Sequence, residues 1–210
     1  MTEFVSALVT ASVVVFAVTS MLSVGFGHTF REVLEPLGNI RWVVRALLAN
    51  FVLVPLLAVA VLEFLEPAQP LAVGLFLVAA AAGAPFLIKL AEVAASDLAL
   101  SGTLLVLLLP VTIVYMPVVV PLALPEAEVS VSAIARPLVL TMLLPLASGL
   151  LVRTLVPGLA MRLRAPFGKL SSIALMVLVL ATILQNLPGI ASVLLTSAIL
   201  AALIVIGGAF

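Results

Sequence analysis

The chain has 210 residues, of which 65% are hydrophobic and only 9% charged, with nine acidic and nine basic side chains in balance. A soluble domain carries about 25% charged residues, so this composition requires an integral membrane protein and leaves no basic surface for nucleic acid. The chain has no cysteine and a single histidine, His28, which excludes disulfides, thiolate nucleophiles and multi-histidine metal sites.

A helix needs about 20 mostly apolar residues to cross a bilayer. On that measure seven spans are predicted: Phe4–Phe26, Val43–Leu62, Leu71–Lys89, Leu98–Leu122, Ile134–Leu155, Leu170–Leu184 and Ile190–Phe210. Short links containing Pro and Gly join them. The expected fold class is therefore all-α, a polytopic membrane helical bundle forming one transmembrane domain over residues 1–210. The opening residues, Met1–Phe4, lack the basic stretch of a cleavable signal.

Span one carries a stripe of hydroxyls, Thr10, Ser12, Thr19, Ser20 and Ser23. These side chains suit either hydrogen bonds to neighbouring helices or the wall of a hydrated pathway. The next link holds Arg31, Arg41 and Arg45, with Trp42 where an interfacial aromatic belt is expected. Span two contains one amide, Asn50, five residues before Pro55.

Span three thins into small residues, Ala79–Ala82, and then meets Gly83 and Pro85. Proline removes an amide donor and blocks the hydrogen bond to the preceding turn. Broken backbone inside hydrocarbon is tolerated only where protein or a wet cavity satisfies the freed groups. Lys89 follows the break, with Glu92 and Asp97 just beyond. An unpaired lysine at mid-bilayer costs about 2.5–3.5 kcal/mol, so it requires a partner, a hydrated cavity or a place near the surface. Two readings of this stretch therefore stand. In one, a broken span presents an ionisable group to a transport site. In the other, the span is only kinked, and Lys89, about 27 Å along it, snorkels to the interface.

Asp97 is placed to cap span four, whose first turns carry Ser101 and Thr103. Pro55, Pro110, Pro117 and Pro145 recur within the spans, as membrane helices permit. The link after span two carries Glu63 and Glu66, and that after span four Glu126 and Glu128 beside Arg136; the link after span five carries Arg153, Arg162, Arg164 and Lys169. The excess of arginine on alternate links predicts those links in the cytoplasm and the N-terminus outside, in an inner (plasma) membrane. Gln185 and Asn186, before Pro188, read as helix-end and turn residues closing span six. The last run ends at Phe210 without a polar or basic flank, which reads as a fragment of a longer chain. No pair of aspartates lies within a span, and no metal-ligand cluster or serine–histidine pairing occurs in the sequence; catalysis is not expected.

Three stretches in order, SMLSVGFGHTFREVLEP, ALLANFVLVPL and AVGLFLVAAAAGAPFLIKLAEVAASDLALS, followed by a proline-rich span, resemble the bile acid:sodium symporter family, part of the bile/arsenite/riboflavin transporter superfamily. The resemblance is clearest over Ser20–Pro121. It implies two inverted repeats of five helices, a broken helix in each, and a panel and a core domain. This chain would supply a first repeat lacking one helix and the start of the second. Span three would be the first broken helix; the second, with its acidic and amide ligands, would follow Phe210.

By the same resemblance Asn50 and Ser101 fall on sodium-liganding positions, so sodium is the implied coupling ion and a small organic anion the implied substrate. The sequence departs from the family's polar Gly-Gly-Thr-x-Ser-Asn pattern, which here reads Gly83-Ala84-Pro85-Phe86-Leu87-Ile88; a second hydroxyl position in span four is Leu105, with Thr103 close by. One ion site thus looks degraded, and the Lys89 ammonium is the candidate substitute for its cation. Sodium-dependent symport of an organic anion is the expected function. Proton-coupled efflux through Lys89, or a non-transporting scaffold or inactive fragment, are the alternatives.

Overall fold

The computed structural model describes residues 2–66, 68–82, 85–94, 98–123, 131–193 and 204. Nearly all of them are helical. The elements are α1 (Thr2–Gly27), α2 (Phe30–Leu34), α3 (Ile40–Leu48), α4 (Val54–Leu65), α5 (Gln69–Ala80), α6 (Phe86–Val93), α7 (Leu98–Ala123), α8 (Val131–Leu138), α9 (Leu144–Leu155) and α10 (Pro157–Val193).

Among the described residues, five continuous helical stretches are long and apolar enough to cross a membrane: Glu3–Gly27, Ile40–Leu65, Ser101–Ala123, Ser132–Leu155 and Pro157–Leu187. The second joins α3 to α4 through a π-helical turn, Ala49–Leu53, and the fourth joins α8 to α9 through another, Val139–Leu143. Each π turn ends two residues before a proline, Pro55 or Pro145. The extra residue per turn relieves the clash that a proline ring makes with the carbonyl four residues earlier.

The third predicted span is two shorter helices, α5 and α6, and the described residues between them, Ala81, Ala82 and Pro85, are not helical. Most of the seventh, Ile190–Phe210, lies outside the described residues. Its described beginning simply continues α10 to Val193. That corrects two expectations. Gln185 and Asn186 do not end a helix: α10 runs through them, and the Asn186 amide donates to the Thr182 carbonyl one turn back. Arg162, Arg164 and Lys169 do not lie in a loop either, because the helix begins at Pro157, whose fixed φ and missing N–H suit a first helical turn.

Lipid offers little hydrophobic drive between helices, so close packing and small residues must hold the bundle together. α1 packs most extensively on α10 and next on α9. At the crossing with α9 the backbones nearly touch: a Cβ added to Gly25 would lie 2.6 Å from the Leu146 carbonyl oxygen, and one added to Gly149 would lie 2.9 Å from the Gly25 Cα. Met21 and Val24 of α1 then meet Leu105, Val106 and Leu109 of α7 and Leu146 and Leu150 of α9 in one buried cluster. A second cluster joins Phe76 and Ala80 of α5 to Met116 and Val120 of α7, and a third joins Ala58 and Val61 of α4 to Ala79. α7 is thus the shared wall of the bundle, with half of its most apolar window buried. Outward side chains such as Phe64, Val114 and Ile173 are exposed and apolar, as a lipid-facing surface requires.

The link after α1 is ordered by a capping box. The Thr29 hydroxyl accepts from the Glu32 amide, and the Glu32 carboxylate accepts from the Thr29 amide at 2.8 Å. That backbone donor holds the Glu32 carboxyl below its ordinary pKa. His28, just before the box, is buried, with Nδ1 2.9 Å from the Val24 carbonyl oxygen. Its ring occupies the space that a side chain at Gly102 of α7 would need.

Candidate functional site

The site is built around the interruption between α5 and α6. α5 stops at Ala80; Ala81 (φ −85°, ψ 75°) leaves helical geometry, and Pro85 sits in a turn before α6 begins at Phe86. Gly83, the other expected hinge residue, lies outside the described residues. The break leaves carbonyls without helical partners. One of them, that of Ala82, accepts a hydrogen bond from the Thr112 hydroxyl of α7. Thr112 is buried, so a protein side chain meets the need that the hydrocarbon cannot.

A second opening is handled the same way. Pro55 has no N–H to offer the Phe51 carbonyl four residues back, and the Tyr115 hydroxyl of α7 donates to that oxygen at 2.9 Å. The Phe51 and Tyr115 rings pack with centroids 4.8 Å apart. α7 therefore braces both irregular helices.

Beyond the break, Lys89 is only 8% exposed. Its ammonium crosses to α10, donating to the Ser172 hydroxyl at 3.0 Å and to the Gly168 carbonyl at 3.3 Å. The geometry is that of a cation held by protein dipoles, and a side chain extended into bulk water does not fit it. Gly168 and Ser172 are one helical turn apart, so both face α6, and the absence of a side chain on Gly168 lets α1 approach as well. The Ser23 hydroxyl donates to the Arg164 carbonyl at 3.1 Å, and Phe26 stacks edge-on against Phe167.

Where α1, α6 and α10 meet, a cavity of about 370 Å³ opens, lined by Ser23, Lys89, Arg164, Lys169 and Ser172 among others. Its volume falls within the range of small-ligand pockets, about 300–1,000 Å³. Three cationic side chains and two hydroxyls converge on it. The guanidinium of Arg164 also lies against Gly27, where an added Cβ would meet Nε at 3.0 Å.

The remaining expected residues lie elsewhere. Asn50 sits in the π turn between α3 and α4, its amide donating to the Ala46 carbonyl at 2.9 Å. Ser101 and Thr103 occupy the first turns of α7, and Thr103 is buried. Asp97 and the side chain of Glu92 lie outside the described residues. Of the expected set, then, Lys89 lines the cavity, and Asn50 bonds within its own helix. Leu87 and Leu105 pack into the same apolar cluster. No group of three metal-ligating side chains occurs among the described residues.

Arg164, Ser172, Thr112 and Tyr115 carry roles that the sequence alone did not single out. The one available signal was the four-residue spacing of Arg164, Gly168 and Ser172, which places them on a single helix face once the helix is known to start at Pro157.

A search of curated proteins returns no match to this chain. The family described as the Sodium Bile acid symporter family, by contrast, matches residues 13–206, from the middle of α1 to beyond α10. With that span covered, and with the interrupted helix and its braced backbone in place, the chain belongs to the sodium bile acid symporter family.

Proposed function

We propose that this chain is a secondary active carrier that couples sodium to the movement of a small organic anion. The observation that carries the reading is the interrupted α5–α6 unit, whose lysine is buried against α10 beside a cavity dominated by positive charge. Discontinuous helices are where carriers build their binding sites, because broken backbone at membrane depth is stable only when it lines a cavity or is held by protein. The cavity's cations favour an anionic cargo. The arginine-rich end of the bundle, where that cavity lies, faces the cytoplasm on the positive-inside bias, and the N-terminus faces out.

Asn50 and Ser101 are the residues assigned to sodium, acting through a side-chain carbonyl and a hydroxyl. The leucine pair Leu87–Leu105 supports a single coupled ion in place of two, with the fixed charge of Lys89 taking the place of a mobile cation near the break. Gly83 and Pro85 are assigned to the hinge, and Asp97 and Thr103 to the substrate- and ion-binding set.

Uptake of a labelled bile acid into proteoliposomes, driven by an imposed sodium gradient, tests this reading. The expected result is uptake that depends on sodium with a Hill coefficient of about 1, and a raised sodium requirement for Asn50→Ala and Ser101→Ala. Uptake indifferent to replacing sodium with potassium, but driven by a pH gradient, would instead establish proton coupling.

A further inference from the structure

The mouth of the cavity between α1, α6 and α10 holds exposed charge beyond the buried lysine on which the transport reading rests. The cavity's exposed charge marks its mouth: Arg164 and Lys169 are both exposed side chains in the N-terminal half of α10, whereas Lys89 is buried. Among the described residues lining it there is no carboxylate. Two hydroxyls, of Ser23 and Ser172, stand between the cations. Such a set suits an oxyanion carrying more than one acceptor oxygen. Met161, which also lines the cavity, is exposed, and Ile173, Leu170 and Leu159 continue an exposed apolar flank around the same helix. A cationic recess opening onto an apolar helix flank is matched to a molecule with an anionic head and hydrocarbon tails. Basic pockets between transmembrane helices at a membrane face bind lipid headgroups for this reason.

We infer that this cavity is a phosphate-binding site whose occupant is the headgroup of an anionic phospholipid, with Arg164 and Lys169 as the principal ligands and the acyl chains lying along the exposed flank of α10. The site requires that the arginine-rich end lie at a membrane face, and it does not depend on what the chain carries or on sodium. Free phosphate presents the same oxygens without the tails, so the two sources are distinguished by experiment.

The test uses the full chain in nanodiscs of phosphatidylcholine, with and without phosphatidylglycerol, and reads the midpoint of thermal unfolding together with the lipids retained in native mass spectrometry. Phosphatidylglycerol should raise the midpoint and be retained preferentially over phosphatidylcholine. The double variant Arg164→Gln/Lys169→Gln should lose that preference by roughly fivefold for each cation removed, while Arg164→Lys/Lys169→Arg keeps most of it. Inorganic phosphate added to phosphatidylcholine nanodiscs is the second arm. If it stabilises the wild type but not the glutamine variant, and phosphatidylglycerol has no effect, the occupant is a soluble phosphate. If neither probe shifts the wild type, or both shift the glutamine variant equally, the site is refuted. Should the glutamine variant fail to fold, the retained-lipid ratio of the wild type and of the charge-conserving variant decides the matter: no preference for phosphatidylglycerol in either overturns the assignment.

Discussion

Replacing Lys89 with methionine is expected to reduce sodium-driven uptake by at least about tenfold, the equivalent of about 1.4 kcal/mol on the rate, while leaving thermal stability unchanged or slightly raised. The two effects separate for a physical reason. Methionine fills a similar volume, and exchanging a buried charge for a well-packed apolar group is often neutral or stabilising. The groups that the ammonium would abandon are not orphaned: the Gly168 carbonyl also accepts from the hydroxyls of Ser171 and Ser172. What disappears is the positive charge at the back of the cavity and the tie from α6 to α10. Initial rates in proteoliposomes, read beside unfolding midpoints, check this. Uptake within about twofold of wild type, less than 0.5 kcal/mol on the same scale, would make the lysine a packing residue only.

Substituting Gly149 with leucine is expected to be the most damaging single change to the fold. A Cβ there meets the Gly25 Cα and the Leu22 carbonyl oxygen, both at 2.9 Å, and neither is a flexible side-chain end that can move aside. α1 would have to lift from α9, taking Met21 and Val24 out of the cluster with Leu105, Leu109 and Leu146. Overpacking typically costs about 1–3 kcal/mol, and backbone-to-backbone contact puts this case at about 3 kcal/mol or above. At roughly 2–4 °C per kcal/mol for a chain of this size, the unfolding midpoint in detergent should fall by roughly 6–12 °C. Gly74→Ala, at a position with nothing within 4 Å, is the control and should move it little. A midpoint for Gly149→Leu within about 2 °C of wild type would mean that the helices do not cross this closely.

Features that depend on local sequence were legible. Membrane residence followed from composition, and Gly83 and Pro85 after a run of alanines left the third span either broken or merely kinked, of which the structure has α5 and α6 as separate helices. The polar stripe of α1 resolved into particular bonds, Thr19 to its own helix and Ser23 to α10. What sequence could not supply was the pairing of distant groups. Lys89 and Ser172 are 83 positions apart, and nothing in either neighbourhood names the other. The basic residues from Arg162 to Lys169 had read as a loop because charge usually marks one. Here a helix starting at Pro157 carries them, and one face of it, with Arg164, Gly168 and Ser172 a turn apart, lines the cavity. Pro188 misled in the same way: a proline after two amides signals a turn in water, whereas a membrane helix continues through it. Thr112 and Tyr115 look like ordinary residues of an apolar span until the open carbonyls of Ala82 and Phe51 give them a purpose.

The natural absence of cysteine makes the position of Lys89 directly measurable. With Lys89→Cys as the only thiol, reaction with a small membrane-impermeant reagent should proceed from the arginine-rich face alone, and far more slowly than for Lys169→Cys at the cavity mouth. That result is what a lysine recessed in a hydrated, protein-lined pocket predicts. Reaction as fast as at position 169 would put the side chain in open water, and no reaction from either face would put it in dry packing; either contradicts the account.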